Sequence, residues 1–123
     1  MYELIVEDDF SAAHRLNHYK GDCEQLHGHN WKVQILFESD RLNEIGLAVD
    51  FRDLQKRLNK ILHTLDHKYL NDIDYFKKNA TSTECIARYI YEKMSMELGS
   101  SPHVKLKKVT CWESDKSAAS YYE

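Results

Sequence analysis

Two stretches of this chain alternate apolar and polar residues with a period of two, and this restricts the fold more than any other feature of the sequence. In the first, Tyr2, Leu4, Val6, Phe10 and Ala12 share one parity, while Glu3, Glu7, Asp9 and Ser11 hold the other. In the second, His27, His29, Trp31, Val33, Ile35 and Phe37 stand together, opposite Gly28, Asn30, Lys32, Gln34 and Glu38. Successive side chains of a strand leave opposite faces, so each stretch predicts a half-buried strand. The polar segment from Asn17 to Glu24, with Gly21-Asp22 as a turn signal, joins them into an antiparallel hairpin.

The period then changes to that of a helix. Leu54, Leu58, Ile61, Leu62 and Leu65 recur at i, i+4, i+7, i+8 and i+11, which predicts an amphipathic helix capped by Asp50 and ending near Asp66-His67. A second helix is announced by Thr81 and Glu84 in capping-box spacing, continues through Ile86, Ile90 and Met94, and stops at Gly99 before Pro102. Strand character returns from His103 to Trp112, where a phase slip between Leu106 and Val109 predicts a bulge across Lys107-Lys108. A short strand over Ser117–Tyr122 closes the chain. The order β-β-α-α-β-β is an α+β plan, a four-stranded antiparallel sheet with two helices on one face, in a single domain over residues 1–123.

Composition excludes several function classes. Seventeen Lys and Arg stand against twenty Asp and Glu, a net charge of −3 with no basic block, so nucleic acid is not an expected partner. No long apolar run or leader-like segment is readable, and the expectation is a cytoplasmic protein without a membrane span. Cys23, Cys85 and Cys111 are odd in number and lack a CxxC pair, which points to reduced thiols rather than a disulfide framework.

The histidines carry the chemistry. His27 and His29 flank a glycine, so on a strand both imidazoles leave one face, and His14 lies on the parity of the partner strand that faces them. Three imidazoles with a vacant fourth position are the donor set of a catalytic zinc site. A single histidine is more often a hydrogen-bonded, half-buried residue than a ligand, and His18, His63 and His103, which have no comparable partner, are read as surface or helix residues. Cys23, four residues before His27, admits three readings: a fourth zinc ligand in a closed site, a reactive thiol beside an open one, or an inert small hydrophobe. Asp66-His67 is either a helix end or a pair in which the carboxylate orients a proton-shuttling imidazole. Glu113 is either solvated or a carboxylate able to accept two parallel hydrogen bonds from an N–C–N edge.

Taken together, Phe10-Ser11-Ala12-Ala13-His14, Cys23-Glu24-Gln25-Leu26-His27-Gly28-His29-Asn30, Leu65-Asp66-His67, Thr83-Glu84 and Trp112-Glu113-Ser114 resemble the 6-pyruvoyl-tetrahydropterin synthase family, nearest to its bacterial 6-carboxytetrahydropterin synthases. The resemblance spans nearly the whole chain in order, and FSAAH followed by CxxxHGH is far more specific than HxH alone. It implies His14, His27 and His29 as zinc ligands, Cys23 as catalytic thiol, Asp66 and His67 as proton relay, and Glu113 as the carboxylate anchoring the pterin. Thr83 is implied as a substrate contact. The stretch Asn79-Ala80-Thr81-Ser82-Thr83-Glu84-Cys85 departs from the family's Asn-Pro-Thr-x-Glu-Asn in lacking the proline and the second asparagine. The resemblance further implies the tunnelling fold, a homohexamer built as a dimer of trimers, and conversion of a small-molecule pterin triphosphate. The alternatives are triphosphate elimination to a 6-pyruvoyl product, or a non-catalytic zinc-stabilised binding module with Cys23 as fourth ligand.

Overall fold

The computed structural model describes residues 1–17 and 25–123. The loop between the first two predicted strands, with His18, the Gly21-Asp22 turn signal and Cys23, lies outside these described residues. Both alternating stretches form strands, β1 over Tyr2–His14 and β2 over His27–Ser39, paired antiparallel from Tyr2↔Ser39 to His14↔His27. Their apolar parity is the buried one: Leu4, Val6, Phe10 and Ala12 on β1 and Trp31, Val33, Ile35 and Phe37 on β2 turn to the same side.

That side is covered by two long helices. In α1, Phe51–His63, Leu54, Leu58, Ile61 and Leu62 are buried. Its N-cap is Asp50, whose carboxylate accepts the Arg52 N–H at 2.8 Å. In α3, Thr83–Leu98, the buried row runs through Ile86, Ile90 and Met94. Strand β4, Val104–Ser114, pairs antiparallel with β2, and β5, Ser117–Tyr121, pairs antiparallel with β4. The predicted bulge is present: Leu36 pairs with Lys108 and Phe37 with Leu106, leaving Lys107 as the extra residue. Among the described residues no helix is long and apolar enough to cross a membrane.

The sheet has five strands rather than four, in the order β3-β1-β2-β4-β5. The added strand, β3 at Lys68–Tyr69, runs parallel to β1 opposite Ala12 and Ala13. A 3-10 turn at Leu70–Asp72 and a short helix α2 at Asp74–Lys78 follow, burying Leu70 and Phe76. Helix α1 also stops earlier than its apolar spacing predicts, at His63 with Thr64 as C-cap. Leu65 stays fully buried past the helix end, because the Leu65 and Asp66 N–H groups still bond back to the Leu62 carbonyl. The apolar period therefore outlasts the helix that it announces.

The cap of α3 differs by one residue from the sequence reading. Ser82, not Thr81, accepts the Cys85 N–H. Thr81 is buried and its hydroxyl donates to the Arg15 carbonyl at 3.0 Å. The side chain that would close a capping box is thus drawn away to the end of β1, beside His14.

Candidate functional site

The site grows out of the register of the first hairpin. Because His14 is directly opposite His27 and Ala12 opposite His29, the imidazoles of His27 and His29 rise on the face that His14 shares. All three ring pairs lie edge to face, with centroids 4.5 Å apart for His14–His27, 5.2 Å for His14–His29 and 4.7 Å for His27–His29. Beneath them the Trp31 indole, wholly buried and stacked on Phe10, lies 5.0 Å from both His14 and His29. The cluster thus stands on the aromatic end of the hydrophobic core, which fixes where the rings point.

The hydrogen bonds decide the tautomers. His14 Nδ1 lies 2.7 Å from the Thr81 carbonyl and His27 Nδ1 2.8 Å from the Gln25 carbonyl. A carbonyl only accepts, so both Nδ1 atoms donate, and in the neutral rings both Nε2 atoms carry lone pairs. Those two Nε2 atoms face one another at 2.9 Å. His29 Nε2 is buried without a hydrogen-bond partner. Burial holds His14 below the ordinary imidazole range, the Thr81 carbonyl opposes this, and His27 and His29 add to the lowering. Burial likewise lowers His29, against the pull of Glu113. Converging lone pairs on neutral rings are repulsive by themselves and fitted to a cation.

Glu113 joins this group. Its Oε1 lies 3.3 Å from His29 Nε2 and 3.7 Å from His14 Nε2, and one donor atom from each of His14, His27, His29 and Glu113 falls within 4.8 Å of the others. Strand β4 places it there because Lys32 pairs with Trp112, and a register shift between Trp112 and Ser114 leaves Glu113 as the extra residue at the strand end. The residues present suit a divalent metal ion: three imidazole nitrogens and a carboxylate oxygen, with backbone carbonyls holding the far nitrogens of His14 and His27. Sequence reasoning gave Thr81 only a cap; its carbonyl orients His14, a role without any side-chain signature to find.

Asp66 and His67 form a second, separate group at the sheet edge. Asp66 Oδ1 accepts the Ser11 N–H at 2.9 Å, and Asp66 Oδ2 lies 2.9 Å from His67 Nδ1. The Ser11 N–H chiefly, and then His67, hold the Asp66 carboxyl below its ordinary range. His67 adopts φ +57°, the left-handed region, and its N–H donates to the Ser11 carbonyl at 2.6 Å. This turn reverses the chain into β3 and leaves the imidazole 82% exposed. A cleft of about 520 Å³ lies between the two groups, lined among others by Ser11, Gly28, His29, His67 and Tyr69. Thr83 opens α3 and is buried. Cys23 lies outside the described residues. Cys111 is wholly buried, which pushes its thiol well up and removes it from chemistry.

An α+β fold with a three-imidazole cluster able to hold a metal ion at the head of its first hairpin, and an Asp-His pair at its sheet edge, has the class of site found in small metal-dependent enzymes. The family model for 6-pyruvoyl tetrahydropterin synthase matches residues 3–123, and the chain belongs to that family. It is 36% identical over 99 residues to a 6-carboxy-5,6,7,8-tetrahydropterin synthase of Synechocystis, covering 76% of this chain and 75% of the relative. It is 32% identical over 126 residues to the human 6-pyruvoyl tetrahydrobiopterin synthase, covering 91% and 85%. Its fold matches the structure of Caenorhabditis elegans 6-pyruvoyl tetrahydropterin synthase with a TM-score of 0.86 at 29% identity, over 99% of this chain and 95% of that one.

Proposed function

We propose that this chain is a zinc-dependent 6-carboxy-5,6,7,8-tetrahydropterin synthase, a lyase that converts 7,8-dihydroneopterin triphosphate and one water to 6-carboxytetrahydropterin, acetaldehyde and triphosphate on a route to 7-deazaguanine compounds such as queuosine. The observation that carries this reading is the convergence of the His14, His27 and His29 Nε2 atoms while the Nδ1 atoms of His14 and His27 are committed to backbone carbonyls. A zinc ion held there would supply Lewis acidity toward the oxygens of the substrate's side chain, making the adjacent C–H protons acidic.

The chain's own residues then divide the remaining work. Cys23 removes a proton as base. His67, held in orientation by Asp66, accepts and returns protons as keto and enol forms exchange. Glu113 anchors the pterin by accepting paired hydrogen bonds from its N–C–N edge, so that the side chain lies over the histidines. Thr83, at the head of α3, adds a substrate contact. We take residues 1–123 as one pterin-synthase domain, working in the cytoplasm as a homohexamer of two trimers, with no nucleic-acid or membrane partner.

Incubation with 7,8-dihydroneopterin triphosphate and mass analysis of both products tests the reading. The expected result is 6-carboxytetrahydropterin with one acetaldehyde per turnover. The human relative favours a second reading within the family, triphosphate elimination to a 6-pyruvoyl product. Turnover without acetaldehyde selects it, and no turnover at all overturns both.

A further inference from the structure

Glu113 stands closer to the histidines than a residue reserved for the pterin ring requires. A tetrahedral site with bonds of about 2.0–2.1 Å sets its donor atoms roughly 3.3 Å apart. In this chain His14 Nε2 and His27 Nε2 are 2.9 Å apart, while Glu113 Oε1 is 3.3 Å from His29 Nε2 and 3.7 Å from His14 Nε2. The carboxylate oxygen is therefore at ligand spacing from His29, slightly wide of it from His14, and within 4.8 Å of the His27 donor. It is also held less tightly than two of the histidines. His14 and His27 are each tied to a backbone carbonyl, and His14 is 1% exposed. Glu113 is 36% exposed, and the cationic or imidazole side chains within 4.0 Å of its carboxylate, among the described residues, are His14 and His29.

We propose that Glu113 fills the fourth coordination position of the resting protein and leaves it when the pterin arrives, its freed carboxylate accepting the ring's paired N–H donors. The inference rests on the pterin reading above, and it makes the two roles of Glu113 successive rather than alternative. No bond to carbon or hydrogen changes; the carboxylate exchanges one cationic partner for two hydrogen-bond donors. A site closed at rest would exclude water and stray ligands from the ion and open only to a molecule able to hold Glu113 elsewhere.

The test uses the full chain loaded with Co²⁺ as the metal alone. Glu113→Gln keeps the side chain's shape, and circular dichroism checks that the fold is retained. Competition with a chromophoric chelator is expected to show metal affinity weakened about 10- to 100-fold in the variant, with visible Co²⁺ bands displaced from those of the wild type. Equal bands and equal affinity overturn the proposal. A crystal structure of the zinc-loaded wild type without pterin gives an answer independent of any variant: a Glu113 oxygen at about 2.0–2.2 Å from the ion supports ligation, and one in outer-shell contact only overturns it.

Adding 7,8-dihydroneopterin, which lacks the triphosphate, is expected to shift the wild-type bands. Unchanged bands while calorimetry records binding overturn the exchange. No binding by calorimetry overturns the pterin reading itself, and the metal-only arms still decide whether Glu113 is a ligand.

Discussion

The molecule carries two histidine groups built on opposite principles. At the head of the hairpin, His14 is buried and its ring is fixed by the Thr81 carbonyl and the Trp31 floor. At the sheet edge, His67 is 82% exposed and held by one carboxylate on a left-handed turn. Burial holds His14 and His29 below the ordinary imidazole range, which leaves their nitrogens free for a cation. The second is open to solvent, as the proposed relay requires. The same side chain is thus set in two surroundings that differ in water and in restraint.

If that contrast is right, substitutions in the two groups should fail differently. Replacement of His27 by alanine should have the largest effect: metal affinity is expected to drop by more than about 100-fold, read by chelator competition, with turnover lost alongside it. Retained affinity would erase the distinction between the groups. Cys23→Ala should lower turnover by about 10²- to 10⁴-fold while leaving metal content unchanged; near-full rate would remove the thiol from the mechanism.

Asp66→Asn is expected to reduce kcat about 10²-fold with no change in metal content, since it disturbs orientation at the edge and nothing at the cluster. It also has a pH signature. A carboxyl whose midpoint is lowered by folding contributes stability above the ordinary carboxylate range and loses it as pH falls through the lowered midpoint. Denaturation curves of the wild type and Asp66→Asn should therefore converge at acid pH and separate near neutrality. Curves that stay parallel would detach Asp66 from the Ser11 N–H. The smallest effect is expected for Ser82→Ala, which removes the α3 cap at about 1 kcal/mol without touching metal affinity, as chemical denaturation and chelator competition would show.

Much of this arrangement is legible in the sequence for a physical reason: a period of two carries side-chain direction as well as strand identity. The parity that buries Phe10 and Trp31 also aims His14, His27 and His29, so fold and cluster are read together. The phase slip at Lys107 belongs to the same logic. With that residue set aside, Val109 and Cys111 face the core, and Glu113 continues their parity to the histidines.

What escaped is local and short. Strand β3 has two residues and α2 five, too few to express any period. Parallel pairing of Lys68 and Tyr69 with β1 depends on the left-handed turn at His67, which no residue type demands. The capping-box spacing points to Thr81, yet Ser82 caps the helix, because the Arg15 carbonyl, far away in sequence, takes the Thr81 hydroxyl. Thr81 acts on His14 through its backbone, and backbone roles leave no trace in composition.

If three imidazoles of one hairpin gather a single divalent ion, counting zinc per chain after equilibrium dialysis, for the wild type and for His14→Ala, will show it. One ion per wild-type chain and none retained by the variant is the predicted result; no ion in the wild type, or the same count in both, would contradict it.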